Sequence, residues 1–145
     1  MATPPARHEL EIMPELECVR LLRSNTLGRI ALVDGENRPL IFPVNYFFDE
    51  GIVVFRTDPG TKLDLAPGAP VAFEIDGYEP AESIGWSVVV KGLSHDLSEP
   101  SDDRARRIHF WPVNPLVAGA KAHWIGIWAN EVTGRLFRPV PGVVS

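Results

Sequence analysis

Between Ile52 and Leu65 the chain reads IVVFRTDPGTKLDL, a valine-rich run that ends in Arg56 and Thr57, turns, and restarts at Thr61 and Lys62. The turn is Asp58-Pro59-Gly60, in which Pro presets φ and Gly accepts the left-handed conformation a tight reversal needs. The residues after it suit a short helix with Thr61 at the N-cap, where backbone N–H groups lack intrahelical partners and the dipole end is positive. A guanidinium, an ammonium, two hydroxyls and backbone donors around one turn match a phosphate monoester. Each charge-assisted bond to such a group contributes about 1.5–3 kcal/mol. The G-x-x-x-x-G-K-[ST] spacing of a Walker loop is absent, and by spacing alone a capped turn with two solvated cations is the commoner reading.

Other chemistry is thinly represented. His8, His95, His109 and His123 form neither an H-E-x-x-H nor an H-x-H metal spacing, and no nucleophile motif or recognisable carboxylate pair stands out. No metal site and no catalytic residue is therefore assigned. His123, beside Trp124, is a candidate for lining a substrate pocket, although a surface or packing role is the simpler reading. The single cysteine, Cys18, excludes an intramolecular disulfide and a thiolate metal cluster, and reads as a small semi-buried side chain.

The 145 residues carry 14 Lys and Arg against 19 Asp and Glu, a formal net charge of −5. Nucleic-acid binding is not expected of so acidic a chain, and any anionic ligand must be held by a local cluster of cations. Arg104, Arg106 and Arg107 share their segment with Asp102 and Asp103 and read as the solvated face of a helix. The N-terminal MATPPARHELEIMP has no apolar core of signal-peptide length, and no later segment could span a bilayer. A cytoplasmic setting without membrane attachment is the expectation.

The elements that must hold these residues are mostly strands. GRIALVD, PLIFPVNYFF, GIVVFRT and PVAFEID are short, rich in Val, Ile and Phe, and separated by Gly- and Asp-containing turns. GWSVVVKGLSHDL and HWIGIWANEV make a fifth and a sixth, the last with GRLF as a possible extension. Residues 1–13 read as a loose N-terminal arm, 14–138 as one domain and 139–145 as a tail. Pro14 opens a helix in which Leu16, Val19 and Leu22 fall on one side, and Ser101 precedes a second, short charged helix. Six strands with two or three short helices point to a small antiparallel barrel or sandwich.

The order LLRSNTLGRIALVD, RPLIFPVNYFFDEGIVVFRTDPGTKLDL, PVAFEIDG, GWSVVVKG and HWIGIWANEVTGR resembles the pyridoxamine 5′-phosphate oxidase-like, flavin-binding split-barrel family in its short actinobacterial form. RTDPGTKL is the most specific part. The resemblance implies a mainly β fold, a six-stranded antiparallel Greek-key split barrel. It implies that Arg56, Thr57, Thr61 and Lys62 contact the phosphate of FMN, and that Pro43, Val44 and Asn45 lie beside the isoalloxazine. It further implies a homodimer with the flavin at the subunit interface, a small-molecule redox substrate, and Trp86, Ser87 and Trp124 as candidates for closing the partner's site. For the two tryptophans, core or interface packing is an equal alternative. A flavin brings its own redox centre, which accounts for the missing catalytic motif. A deazaflavin-dependent reductase and a non-catalytic flavin- or haem-binding module remain the alternatives on the same fold. The chain ends soon after Arg135 and Arg138, so oxidation of pyridoxamine phosphate itself is not expected.

Overall fold

A computed structural model describes residues 8–57, 68–115 and 123–140. The strands are β1 (His8–Ile12), β2 (Leu27–Val33), β3 (Pro39–Asp49), β4 (Ile52–Thr57), β5 (Pro70–Glu79), β6 (Ile84–Asp96) and β7 (His123–Pro139). The helices are α1 (Glu15–Ser24) and α2 (Asp103–Ile108). All strand pairs are antiparallel, and the order β7-β4-β3-β2-β5-β6 closes through a further β6–β7 pairing into a six-stranded barrel. β5 returns to lie beside β2 after the β2-β3-β4 meander, which is Greek-key connectivity. The third helix expected around Thr61 lies outside the described residues. Among the described residues no helix is long and apolar enough to cross a membrane.

Alternation builds the barrel. Along β2 to β7 every second side chain points inward, and Ile30, Phe55, Phe73, Val88, Val90 and Ile127 are fully buried there. Burying each such side chain contributes about 1.5–3 kcal/mol. A second cluster forms on the outside of β4 and β7, where Ile52, Val54 and Trp124 meet Ile108 of α2 with Leu97 and Val113. The Asp102 carboxylate caps α2, accepting from the Ala105 N–H at 2.7 Å.

The 17-residue β7 changes phase once. Lys91 pairs with Glu131 but Gly92 pairs with Ala129, so Asn130 is the extra residue of a bulge. A Cβ on Gly92 would lie 1.7 Å from the Trp128 carbonyl oxygen, so this close approach admits only glycine.

Two elements differ from expectation. Residues His8–Ile12, read as part of a loose arm, form β1 against the far end of β7, from His8↔Pro139 to Ile12↔Arg135. Backbone pairing and the Arg138–Glu11 ion pair hold this edge strand, while Leu10 and Ile12 stay exposed, so it leaves no hydrophobic signature. In α1 the buried stripe is Cys18 and Leu22, and Leu16 is 86% exposed. The small Cys18 is favoured at this contact because the helix lies close to Gly134, where a Cβ would sit 2.5 Å from the thiol sulfur. The Tyr46 hydroxyl donates to the Leu22 carbonyl at 2.8 Å and locks the helix to the barrel.

Candidate functional site

β4 delivers Arg56 to the outer face of the barrel and Thr57 to the opposite face, because successive strand residues alternate. Arg56 stands directly opposite Trp124 of β7. On its other side the β3–β4 ladder ends at Tyr46↔Phe55, and one further step of the register places Asn45 opposite Arg56. Asn45 is in turn paired with Leu27. Leu27, Asn45, Arg56 and Trp124 therefore form one outward row across four strands. The Tyr46 N–H donates to the Thr26 carbonyl on the β2 side, so the N–H of the preceding Asn45 points to the β4 side, toward Arg56.

Arg56 is held by groups from outside its strand. Its guanidinium carbon lies 4.8 Å from the centre of the Trp124 ring, and its Nη1 donates to the Val113 carbonyl at 3.4 Å. His109, which follows α2, stacks on the same indole at 4.5 Å and 11°. The Arg56 side chain is half-buried at the rim, where a cation is less screened than on an open surface.

The other candidates separate into three groups. Pro43 is exposed and Asn45 half-buried on the outer face, whereas Val44 points inward and is 6% exposed, leaving only its backbone for an outer ligand. Trp86 and Ser87 lie on β6 opposite Leu136 and Arg135, twelve and eleven positions along β7 from Trp124, so one chain does not bring them to Arg56. Trp86 instead lines a cavity of about 390 Å³ with Met13, Pro14, Arg20 and Leu136. Trp124 is 9% exposed in the outer cluster of its own chain. Thr61 and Lys62 lie outside the described residues. His109 and the Val113 carbonyl were not anticipated, since neither belongs to a motif and both reach Arg56 or Trp124 only through tertiary packing.

His123 pairs with Thr57 at the start of β7. Its charge acts on Asp96, whose partial burial raises the carboxyl pKa but whose hydrogen bonds with Ser98, aided by His123, bring it net below the usual range. No group of His, Cys, Asp and Glu that could hold a metal ion occurs among the described residues.

Beyond the row of Pro43, Arg29 and Glu74 that follows Asn45, the outer face of β3, β2, β5 and β6 is largely apolar. Its groove of about 760 Å³ is lined by Ala31, Val33, Ile41, Ala72 and Leu93, with Lys91 and Glu131 at one edge. Ile41 is 68% exposed and Val33 53%. This groove has one cation and no cluster of donors, so its chemistry suits apolar contact rather than an anion. Nearby, Arg29 contacts both Glu74 at 3.3 Å and Asp76 at 3.4 Å. Burial and the adjacent Asp76 push the Glu74 carboxyl up to about 7 despite Arg29. One guanidinium shared by two carboxylates does not compensate both.

Comparison with known proteins agrees with this architecture. The described fold is similar to the FAD binding protein from Mycobacterium smegmatis, with a TM-score of 0.74 and 36% identity over 88% of this chain and 98% of that one. A FAD-binding protein from Mesorhizobium loti shares the fold at a TM-score of 0.67 and 22% identity, covering 88% of this chain and 97% of that one. The uncharacterized protein Rv0080 of Mycobacterium tuberculosis is 34% identical over 76% of this chain and 77% of its own length. The model of the pyridoxamine 5′-phosphate oxidase family matches residues 14–136, from the N-cap of α1 to near the end of β7, and the chain belongs to that family.

Proposed function

We propose that this chain binds a flavin nucleotide through its phosphate at Arg56, with FMN as the ligand, and works as an oxidoreductase on a small redox substrate. The observation that carries the reading is the outward row of Asn45, Arg56 and Trp124 at the point where the β3–β4 ladder stops. It combines a half-buried cation, an amide and an aromatic ring on one face, which suits an anion with a planar polar ring beside it. FAD, which the 36%-identical M. smegmatis protein binds, contains the same ring and the same first phosphate. Arg56 would compensate the phosphate, and Pro43 to Asn45 would present backbone groups to the ring. The bound flavin supplies the electron-transfer chemistry, so the chain's own residues bind, orient and exclude water.

A homodimer is part of the proposal. Trp86 and Ser87 are remote from Arg56 within one chain, so contact with the flavin would have to come from a second copy. The groove where Ile41, Val33 and Leu93 are exposed on the outer face offers apolar surface for such a contact.

The test is titration of apo-protein with FMN, FAD, riboflavin and a deazaflavin, followed by fluorescence, and then anaerobic reduction of the complex by NADH and NADPH. FMN binding tighter than riboflavin by an order of magnitude or more supports the phosphate assignment. Equal affinity for the two overturns it, and tighter binding of FAD or the deazaflavin reassigns the nucleotide.

A further inference from the structure

We propose that His109 is a positioning residue for the anion site, holding the Trp124 indole as the platform on which the Arg56 guanidinium rests. The inference builds on the reading of Arg56 as the phosphate cation and assigns a role to a residue outside every motif.

The histidine is itself tightly fixed. It follows the last turn of α2, its backbone N–H donates to the Ala105 carbonyl, and its Nε2 lies 2.6 Å from the Leu97 carbonyl oxygen. A carbonyl only accepts, so Nε2 carries the hydrogen. The Leu97 N–H in turn donates to the Trp124 carbonyl at 2.7 Å. Leu97 thus grips both partners of the stack by its backbone, with its N–H on Trp124 and its carbonyl on the His109 ring. The Trp124 N–H is also bound, by the Ser98 hydroxyl at 3.0 Å. These bonds fix the Trp124 backbone and the His109 ring, and the two rings lie near parallel, at 11°.

Arg56 is less constrained by its own strand, since a long side chain at a strand end has many rotamers. The contacts with Trp124 at 4.8 Å and Val113 at 3.4 Å direct it, and both residues belong to the outer cluster that α2 covers. A planar guanidinium suits this arrangement because its face can lie over the indole while its edge donates hydrogen bonds, as Nη1 does to the Val113 carbonyl. Without His109 the indole loses a stacked neighbour, and Arg56 must lose more rotamer freedom when an anion arrives.

The experiment compares FMN and riboflavin affinities in wild type, His109→Ala, His109→Phe, Arg56→Ala and the double variant. His109→Ala is expected to lower the preference for FMN over riboflavin by about 3- to 10-fold while leaving riboflavin affinity unchanged. His109→Phe keeps a stacked ring and should recover most of that loss, which also guards against a poorly folded alanine variant. The double variant should be no worse than Arg56→Ala alone, as two residues acting through one contact require. A preference unchanged in Arg56→Ala overturns the phosphate reading itself. A preference lowered in Arg56→Ala but unchanged in His109→Ala overturns the positioning role alone, as does an equal loss of FMN and riboflavin.

Discussion

Arg56 and Trp124 stand opposite each other on neighbouring strands, with the guanidinium carbon 4.8 Å from the indole centre. A cation on an aromatic platform at the end of a strand has its direction set before a ligand arrives. Arg56→Ala should weaken FMN binding about 10- to 150-fold, the equivalent of one charge-assisted bond of roughly 1.5–3 kcal/mol. Arg56→Lys keeps the charge but not the planar stack, and should fall between wild type and alanine. Arg106→Ala, on an exposed cation paired with Asp103, is the control and should leave FMN affinity unaltered. Fluorescence titration reads all three.

Assembly should depend on the apolar outer face. Ile41→Asp puts a charge on a side chain that is 68% exposed, so the fold of the single chain should survive. If that face joins two copies, the variant should run as a monomer in light-scattering chromatography and lose flavin with it. A wild-type protein that is monomeric at micromolar concentration with flavin bound would refute the shared site.

Stability should fall as pH rises through neutrality. The Glu74 carboxyl is raised from its ordinary 4.5 to about 7, by burial first and then by Asp76, so the folded chain holds this proton more tightly than the unfolded chain. The contribution is fully present below about 4.5 and is lost as pH climbs through about 7. Glu74→Gln mimics the protonated form and should flatten that part of the profile. Thermal midpoints measured between pH 5 and 8 for both proteins show whether the slope belongs to this residue.

Gly92→Ala should destabilise the barrel without touching the anion site. The added carbon would lie 1.7 Å from the Trp128 carbonyl oxygen, and backbone cannot rotate aside as a side chain does. A cost of about 1–3 kcal/mol or more is expected from such overpacking. Urea unfolding monitored by tryptophan fluorescence gives the value, and a midpoint equal to wild type would contradict the close approach.

The six barrel strands were legible because period-two alternation of Val, Ile and Phe is the direct imprint of a wall with one side buried. β1 was not, because its stability comes from backbone pairing and an ion pair with Leu10 and Ile12 left in solvent. The helical spacing of Leu16, Val19 and Leu22 found two of the packed residues, Val19 and Leu22, but not Cys18, which a barrel surface that includes Gly134 favours at closest approach while Leu16 stays exposed. At the site, Arg56 could be singled out from its neighbours in the sequence. The ring that holds Trp124 beneath it could not, since His109 and Trp124 meet only through the docking of α2.

The bulge at Asn130 has a consequence for how the chain tolerates change. Before it, even-numbered residues of β7 (Trp124, Gly126, Trp128) face outward, and beyond it the outward set is odd-numbered (Glu131, Thr133, Arg135). β7 therefore behaves as two shorter strands welded at one spare residue, each with its own phase. Loss of Asn130 would leave both halves paired with β6 in their present register, and a residue inserted beside it would only enlarge the bulge. Trp124 would keep its place opposite Arg56. Length variation at this point would spare both ends of the barrel, the one near Trp86 and the one where Arg56 meets Trp124.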